Sequence, residues 1–276
     1  MTSTPLGAPA APAGAAVVAA APKGSLLTHT SALVGRNLSK LRTSPQIVVF
    51  SALQPIIMML MFMVLFAGSV SGSQSEYLQF LLPGMLAQNA AFMVTTVGQA
   101  INTDIEKGIF DRFRSLPIAR SAPLIAHVVG DLPRQAAATV VILGFGVILG
   151  FRVHTDPLSV LLAILLVLLV SFAFSWIALT IGLIADKPES VNMLVMMLLF
   201  PLAFGSNTLV TTDSLPGWLQ AWVKINPVSH LATAVRDLLT GPASSAGSDI
   251  GTTVLTAAVV LVLFVPLAVR AYARRL

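Results

Sequence analysis

The chain has 276 residues, of which 56% are hydrophobic and only 10% are charged, and its formal net charge is +5. A soluble globular domain usually carries about 25% charged residues, so this chain has too few of them to cover a water-exposed surface, and lipid must be its main solvent. The chain contains no cysteine, which excludes disulfides and thiolate metal sites. In a membrane protein a basic excess is more typical of cytoplasmic loops than of nucleic-acid binding.

The first 43 residues divide by composition into a tail and a helical segment. Residues 1–24 contain nine alanines and four prolines, and we interpret 1–25 as a disordered tail. A signal peptide would place its basic residues before the apolar stretch, whereas the first lysine, Lys23, follows it. In residues 26–43, apolar side chains alternate with basic ones at helical spacing, which predicts an amphipathic helix on the membrane surface. A plain linker next to the membrane is the alternative.

Six uncharged spans follow, each a candidate membrane-crossing helix. They are Ile47–Ala67, Leu78–Ile101, Ala136–Gly150, Leu158–Ile184, Val191–Leu209 and Ile250–Val269. The third is short for a bilayer, but it can extend back through residues 123–135, where Asp131 and Arg134 lie one turn apart and can pair with each other. The second carries polar side chains from Gln88 to Gln99, which need partners and therefore predict an interior position in the bundle.

The basic residues predict the orientation of these spans. With the N-terminus in the cytoplasm, 13 of the 16 basic residues face the cytoplasm, and the other three face outwards: Arg152, Lys224 and Arg236. Because the number of spans is even, the C-terminus with Arg274 and Arg275 returns to the cytoplasmic side. The sequence thus predicts a multi-pass plasma-membrane protein with both termini inside.

The connection between spans five and six, residues 210–249, is the one long outer connection. Trp218 and Trp222 lie in a short amphipathic stretch and would anchor it at the interface. Asn226 can cap a second helix, Pro227 suits its first position, and Gly241 would end it. We predict two short helices that rest on or dip into the outer leaflet. A covering lid with no role in transport is the alternative.

The cytoplasmic loop of residues 102–123 combines alternating charges with apolar side chains. Its apolar members are Ile105, Ile109, Phe110, Phe113 and Leu116. Protruding apolar groups can enter a cleft on a partner while the charges set the register. This composition favours a docking element over the alternative, a solvated loop that only carries positive charge on the inner side.

The sequence contains no recognisable ATP-binding, metal-binding or catalytic motif. No lysine follows a glycine, so the chain has no P-loop for ATP phosphates. Its four histidines are scattered and have no metal-ligand spacing, and no Ser-His-Asp order suggests an intramembrane enzyme. The six core spans contain no ionisable side chain, whereas ion-coupled transporters usually need such groups at depth. The energy for any transport should therefore come from another protein.

The cytoplasmic loop resembles the signature of the ABC-2 type permeases through the stretch Asp104-Ile-Glu106-Lys-Gly108-Ile-Phe-Asp-Arg112-Phe-Arg114-Ser-Leu-Pro117. These permeases are the membrane subunits typified by daunorubicin/doxorubicin resistance permeases, and polysaccharide exporters are their relatives. Gly150-Phe-Arg152, Pro216-Gly-Trp218 and Asn226-Pro-Val-Ser229 also look like that branch. The resemblance covers roughly residues 30–270.

The resemblance implies an all-α polytopic fold with six transmembrane helices over residues 26–276. Residues 26–43 would be the connecting helix, the cytoplasmic loop would form a coupling helix, and short re-entrant helices would lie between spans five and six. Two permeases, identical or paralogous, would pair, each docked on a separate P-loop ATPase that holds ATP and Mg²⁺, so this chain would bind no cofactor. The docking residues implied are Asp104, Glu106, Lys107, Gly108, Phe110, Asp111, Arg112, Phe113 and Arg114. The alanine- and proline-rich tail is typical of a bacterial, actinobacterial protein.

The resemblance implies outward transport by alternating access, and the side chains of spans one, two and five suggest its substrate. The candidate pathway residues are Met58, Phe62, Asn89, Phe92, Met93, Met197, Phe200, Phe204 and Asn207. Flexible methionines and flat aromatic rings suit promiscuous apolar ligands, so we expect a hydrophobic or amphipathic drug or lipid. For each of these residues, ordinary helix packing or lipid contact is the alternative.

Other functions remain open at this point. A polysaccharide or glycolipid exporter would need a more polar, aromatic-stacked channel, and the chain has only two tyrosines and three tryptophans. A non-transporting membrane scaffold would have no ATPase partner. A secondary transporter is disfavoured because the core spans carry no charge.

Overall fold

We describe the fold from a computed structural model, in which residues 45–70, 73–108, 122–241 and 246–275 are described. Within these ranges the chain forms α-helices and one 3-10 turn at Thr212–Ser214, and no strand. The helices are α1 Pro45–Val70, α2 Gln74–Phe92, α3 Thr95–Glu106, α4 Ala122–Ile148, α5 Pro157–Ile184, α6 Pro188–Phe204, α7 Gly217–Val223, α8 Pro227–Thr240 and α9 Ala246–Arg275. The predicted tail, residues 1–25, and the predicted amphipathic helix, residues 26–43, lie outside the described ranges.

Four helical stretches in the described part of the chain are long and apolar enough to cross a membrane. They are Gln74–Glu106, Pro123–Ile148, Pro157–Ile184 and Asp249–Arg274. The first and fifth predicted spans coincide with shorter apolar stretches, Ser51–Phe66 and Pro188–Phe204. The structure therefore confirms an all-helical, multi-span membrane protein.

Helix α5 is the centre of the bundle and packs against α2, α3, α4, α6, α8 and α9. It approaches α3 closely, because glycines face each other across the contact. A Cβ atom on Gly182 would lie 2.2 Å from the Gly98 carbonyl oxygen, and one on Gly98 would lie 2.4 Å from the Ala178 oxygen. Asn102 on α3 adds two hydrogen bonds, from Nδ2 to the Gly182 oxygen at 2.9 Å and to the Ala185 oxygen at 2.8 Å. Small residues thus bring the two backbones together, as is usual between helices in lipid.

The second predicted span lies inside the bundle, as its polar side chains indicate. Over its most apolar stretch 83% of the residues are buried, compared with 17% in α9. The span is not one continuous helix, however, and this corrects the prediction. It breaks at Met93–Val94 between α2 and α3. Two threonine hydroxyls bond back to the carbonyl oxygens of this turn, Thr95 to Phe92 and Thr96 to Met93, each at 2.9 Å, and such side-chain bonds compete with the helical ladder.

The third span is longer than its uncharged core. Helix α4 begins at Ala122, and Asp131 and Arg134 lie within the stretch that can cross a membrane. This agrees with the predicted extension back through residues 123–135, which brings Asp131 and Arg134 into the span while its predicted core, residues 136–150, carries no charge. Arg134 and Asp131 do pair as the sequence predicts, with Nε to Oδ1 at 2.7 Å.

The connection between α6 and α9 contains the two predicted short helices, α7 and α8. The Asn226 side chain accepts a hydrogen bond from the Val228 N–H at 2.9 Å and caps α8, and Pro227 occupies the first turn. Gly241 ends α8 with φ +106°, a left-handed backbone conformation that favours glycine. On α7, Trp218 is 75% exposed while Val223 is buried, so one face of this helix is free for a membrane interface.

The glycine contact between α3 and α5 generates a prediction about stability. We expect Gly182→Val to lower the free energy of unfolding by about 1–3 kcal/mol or more, because the added side chain overpacks a backbone contact that cannot give way. Gly144→Val is the matched control, since a Cβ atom at Gly144 would meet no atom within 4 Å. The measurement is the thermal midpoint of both purified variants in detergent. Equal midpoints for the two variants would show that the close contact is not needed.

Candidate functional site

A cavity of about 390 Å³ lies between α1, the α2–α3 segment, α4 and α6. On α1 it is lined by Ser51, Gln54, Pro55 and Met58. The α2–α3 segment contributes Met85, Gln88, Asn89, Phe92, Met93 and Thr96, and the rest of the wall is Arg134, Met196, Phe200 and Phe204. A cavity of this size is within the range of small-molecule sites.

The wall is built from stripes of residues at helical spacing. On α2 the lining positions begin at Met85 and recur after three and four residues as far as Met93, which places them on one face. On α6 the lining positions, from Met196 to Phe204, are four residues apart. The cavity therefore runs lengthwise along α2, and the break between α2 and α3 lies at the end of the cavity that contains Thr96.

Three phenylalanine rings form the aromatic part of the wall. Phe204 stacks on Phe200 with ring centroids 4.4 Å apart and lies 6.0 Å from the Phe92 ring. Met58, Met85 and other methionines complete this part. Stacked rings and flexible thioethers can adapt to flat apolar ligands of different shapes.

Arg134 forms the polar end of the cavity. Its guanidinium binds both oxygens of Asp131, at 2.7 and 2.8 Å, in the bidentate geometry that makes such pairs strong. It also donates to the Ser51 hydroxyl at 3.1 Å, the Thr96 hydroxyl at 2.7 Å and the Met93 carbonyl oxygen at 3.1 Å. Arg134 and Asp131 are 12% and 16% exposed, so a largely but not fully buried ion pair holds α1, the helix break and α4 together.

Six of the nine predicted pathway residues line this cavity: Met58, Asn89, Phe92, Met93, Phe200 and Phe204. The other three lie elsewhere. Phe62 is 9% exposed within the hydrophobic core, and Met197 is 74% exposed on the outer face of α6. Asn207 follows α6 and donates to the Thr233 hydroxyl at 3.0 Å. The role of all nine in transport stays a prediction.

The sequence analysis did not place Arg134, Ser51 or Gln54 at the cavity. The sequence could have indicated the position of Arg134, because its partner Asp131 precedes it by three residues in a stretch that was predicted to be helical. The indication for Ser51 and Gln54 was weaker: both are polar residues in an otherwise apolar span. Their meeting with Arg134 depends on how α1 packs against α4, which no local pattern contains.

Comparison with known protein families identifies the architecture around this cavity. The model of the ABC-2 type transporter family matches residues 28–240. The chain belongs to the ABC-2 type transporter family. The resemblance seen in the stretch of residues 104–117 is thereby confirmed.

Among the similar proteins are three permeases of bacterial ABC transporters. The daunorubicin resistance ABC transporter permease protein DrrB1 of Streptomyces coeruleorubidus is 41% identical over 220 residues, which cover 80% of this chain and 77% of that protein. The doxorubicin resistance ABC transporter permease protein DrrB of Mycobacterium tuberculosis is 30% identical over 67% of this chain and 66% of its own length. A probable doxorubicin resistance permease of the same bacterium, DrrC, is 32% identical over 59% of this chain and 58% of its own length.

In this ABC-2 permease, the structure describes the beginning of the loop predicted to dock on an ATPase. Helix α3 ends at Glu106, and Gly108 follows with φ +64°, where the backbone turns. The Glu106 and Lys107 side chains are exposed. Asp104 lies 3.1 Å from His127 Nε2 and so links the end of α3 to the start of α4. Phe110, Asp111, Arg112, Phe113 and Arg114 lie outside the described residues, and their docking role stays a prediction.

A second cation, the partly buried Arg236 on α8, joins α8 to its neighbours in the ABC-2 permease. Its guanidinium carbon lies 4.1 Å from the centre of the Phe80 ring, and Nη2 donates to the carbonyl oxygens of Phe80 at 3.2 Å and Asn207 at 3.4 Å. Burial lowers the pKa of Arg236 from its usual 12.5 to about 10, while the neighbouring Asp237 opposes the change. The side chain is therefore charged at neutral pH and joins α8 to α2 and to the segment after α6.

The ion pair at the polar end of the cavity generates a second prediction. Arg134→Met should destabilise the protein by about 3–5 kcal/mol, because Asp131 would be left buried without its cation. Arg152→Met is the control, since Arg152 is exposed, and it should change the thermal midpoint little. The double variant Asp131→Asn/Arg134→Met should recover part of the loss, because it buries no lone charge. Equal midpoints for Arg134→Met and Arg152→Met would contradict the role given to the ion pair.

Proposed function

We propose that the chain is the permease subunit of an ATP-binding cassette exporter, which moves a hydrophobic or amphipathic drug or lipid out of the cell. The observation that carries this proposal is the cavity between α1, α2, α4 and α6, with its phenylalanine and methionine wall and one polar end, in a member of the ABC-2 type transporter family. The names of the similar permeases, which refer to daunorubicin and doxorubicin resistance, support a drug-like substrate.

The chemistry of the wall favours an amphipathic molecule over a polysaccharide. Apolar side chains from α1, α2 and α6 would remove the body of the substrate from lipid and water, while Ser51, Thr96 and Arg134 would face a polar group. A sugar chain needs hydrogen-bonding partners along its whole path, whereas seven of the fourteen lining residues here are methionine or phenylalanine. A membrane scaffold with no transport role would have no use for the cavity.

We further propose six membrane spans with both termini in the cytoplasm. Helices α1 and α6 would be the two spans added to the four long apolar stretches. An α-helix rises about 1.5 Å per residue, so α6, with 17 residues, would cross about 25 Å of hydrocarbon. Helices α7 and α8 would lie in the outer leaflet, where Trp218 could anchor at the interface. The excess of basic residues on the inner side supports this orientation. The polar end of the cavity then faces the cytoplasmic side.

Energy would reach the cavity through the loop between α3 and α4. A separate P-loop ATPase would hold ATP and Mg²⁺, because no Gly-Lys pair exists in this chain. Its closure would move the loop, and with it α3, which extends from Thr96 at the cavity to Glu106 at the loop, a distance of about 15 Å. A second permease, identical or paralogous, would face the first. ATP can bias the two access states only through contacts that differ between them, and the loop would make those contacts.

Reconstitution with its ATPase tests this function. We expect ATP-dependent export of a fluorescent amphiphilic drug from liposomes when both subunits are present, and neither ATP binding nor hydrolysis by the permease alone. Phe110→Ala/Phe113→Ala should abolish most of the export or the stimulation of ATP hydrolysis, since truncating a buried aromatic anchor costs about 2 kcal/mol or more at an interface.

Lys107→Ala is the matched control in this experiment, because an exposed rim charge contributes little and its effect depends on salt. It should leave export nearly normal. If the double phenylalanine variant assembles, hydrolyses ATP and exports like the wild type at equal expression, the loop does not couple the subunits. If the wild-type complex hydrolyses ATP but exports no amphiphile, the exporter proposal fails.

Single cysteines test the proposed orientation, because the natural chain has none. A cysteine at Ser73, which precedes α2, or at Ser245 should react with a membrane-impermeant thiol reagent in intact cells. A cysteine at Ser115 in the cytoplasmic loop should react only after the cells are opened. Labelling of Ser115 from outside would contradict the six-span arrangement with the N-terminus in the cytoplasm.

A further inference from the structure

Gln88 is a buried amide in the cavity wall whose hydrogen-bonding capacity is unused. The residue is 2% exposed, and neither its Nε2 nor its Oε1 has a hydrogen-bond partner. Its neighbour Asn89 differs, because Asn89 Nδ2 donates to the Met93 sulfur at 3.0 Å. Gln54 also lines the cavity but is exposed. Among the buried amides of the described residues, Gln88 thus combines a place in the wall with two unpartnered atoms.

An unpartnered buried amide is unfavourable for folding. Leaving a buried donor or acceptor without a partner costs a free energy well above that of an ordinary packing contact. A leucine or methionine would fill the same space on α2 without this penalty, as Met85 and Phe92 do one turn away on either side. Residues that reduce stability in this way are typical of binding sites, where the missing partner is supplied by a ligand.

The neighbouring charges are already neutralised, which limits what the ligand can carry. Both oxygens of Asp131 accept from Arg134, and Oδ2 also accepts from Gln135 at 2.8 Å. Gln88 lies about eight residues from Thr96 along the α2–α3 segment, hence about 12 Å from the polar end. It therefore sits in the apolar part of the cavity, where a neutral hydrogen-bonding group is favoured over an ion.

We propose that Gln88 determines substrate specificity, and that the cavity takes a flat aromatic molecule bearing an uncharged hydroxyl or carbonyl group that hydrogen-bonds the Gln88 amide. This inference rests on the proposed function for the assignment of the cavity to transport. The phenylalanine cluster holds the rings of the ligand, and the amide selects the molecule whose polar group lies opposite it. An analogue that lacks the polar group leaves the amide unpartnered and binds more weakly.

The test uses two probes of nearly equal size, 1-pyrenemethanol and 1-ethylpyrene, which differ in one hydroxyl. The full-length chain is purified in detergent micelles, immobilised on beads and loaded with tritiated 1-pyrenemethanol. Each unlabelled probe is then added, and the displacement of the tritiated alcohol is measured. Wild type should prefer the alcohol about fivefold to tenfold, the ratio that corresponds to one net hydrogen bond. Gln88→Met should reduce this ratio to about one, with a thermal midpoint equal to or above that of the wild type. Partition into micelles is common to all variants, so the change in ratio reports on the protein.

Gln54→Met is the matched control, since it removes an exposed amide from the same cavity, and it should keep the wild-type preference. Gln88→Leu repeats the test with a branched side chain in case Gln88→Met does not fold. The inference is overturned if both Gln88 variants keep the preference, if neither probe displaces the label from wild type, or if both variants lose stability, which would make the amide structural.

ATP-driven export by the wild-type complex distinguishes this inference from the proposed function. Export of the drug together with an unchanged preference in the Gln88 variants would overturn the role of Gln88 and leave the exporter intact. A preference that depends on Gln88 in a complex that exports nothing would leave the binding site intact and overturn the exporter.

Discussion

The guanidinium of Arg134 is the contact on which the cavity depends. A cation buried among apolar helices is stable only if it is paired and its donors are used. Arg134 meets this requirement with Asp131 on its own helix, Ser51 on α1 and the Met93 carbonyl and Thr96 hydroxyl at the break between α2 and α3. The ion pair therefore fixes the distance between three structural elements and closes one end of the space between them.

The break in the second span and the ion pair support each other. A turn in the middle of a membrane helix exposes carbonyl oxygens, which are costly in lipid unless donors are supplied. Thr95, Thr96 and Arg134 supply them at the turn. Because the break lies at the cavity and α3 continues from it to the loop between α3 and α4, the same donors connect the cavity to the part of the chain that we propose contacts the ATPase.

The bundle combines a tightly packed half with a half that can adapt. Around α5, the contact of Gly182 with Gly98 brings backbones together and leaves no room for adjustment. The cavity wall, in contrast, is made largely of methionine and phenylalanine side chains that can change rotamer. Helices α1 and α6 both line the cavity. Helix α1 packs mainly against α2 and α4. This arrangement would suit the exporter that we propose, because the wall could adapt to its ligand while the centre stays fixed.

Arg236 shows a second way to keep a cation inside the protein. It lies over the Phe80 ring and donates to backbone carbonyls of α2 and of the segment after α6. Asn226 reinforces this region, because its side chain caps α8 and also donates to the Leu202 oxygen at 2.8 Å. Helix α8 is thus attached to the bundle partly by hydrogen bonds to backbone oxygens, which do not depend on a matching polar side chain in the neighbouring element.

The sequence alone determined the class of the protein, the family and the approximate helices, because these follow from local properties. Few charges and long apolar runs require lipid, and residues such as Asn226, Pro227 and Gly241 mark helix ends through their own backbone preferences. The interior position of the second span also followed from its polar side chains, and so did the pairing of Asp131 with Arg134 one turn away. The loop motif identified the family without any knowledge of packing.

Only the tertiary structure decided where those elements meet. At the break, the Met93 carbonyl oxygen accepts a hydrogen bond from Arg134 on α4, 41 residues away in the chain, and no pattern within the second span predicts that partner. Ser51 reaches Arg134, and Met197 turns outwards while Phe200 lines the cavity, because of how α1, α4 and α6 pack around α2. Gln88 gives the same lesson: its polarity is visible in the sequence, but its lack of a partner depends on the neighbours that packing places around it. Hydrogen bonds and cavities belong to pairs of elements, and pairing is decided when the whole bundle packs.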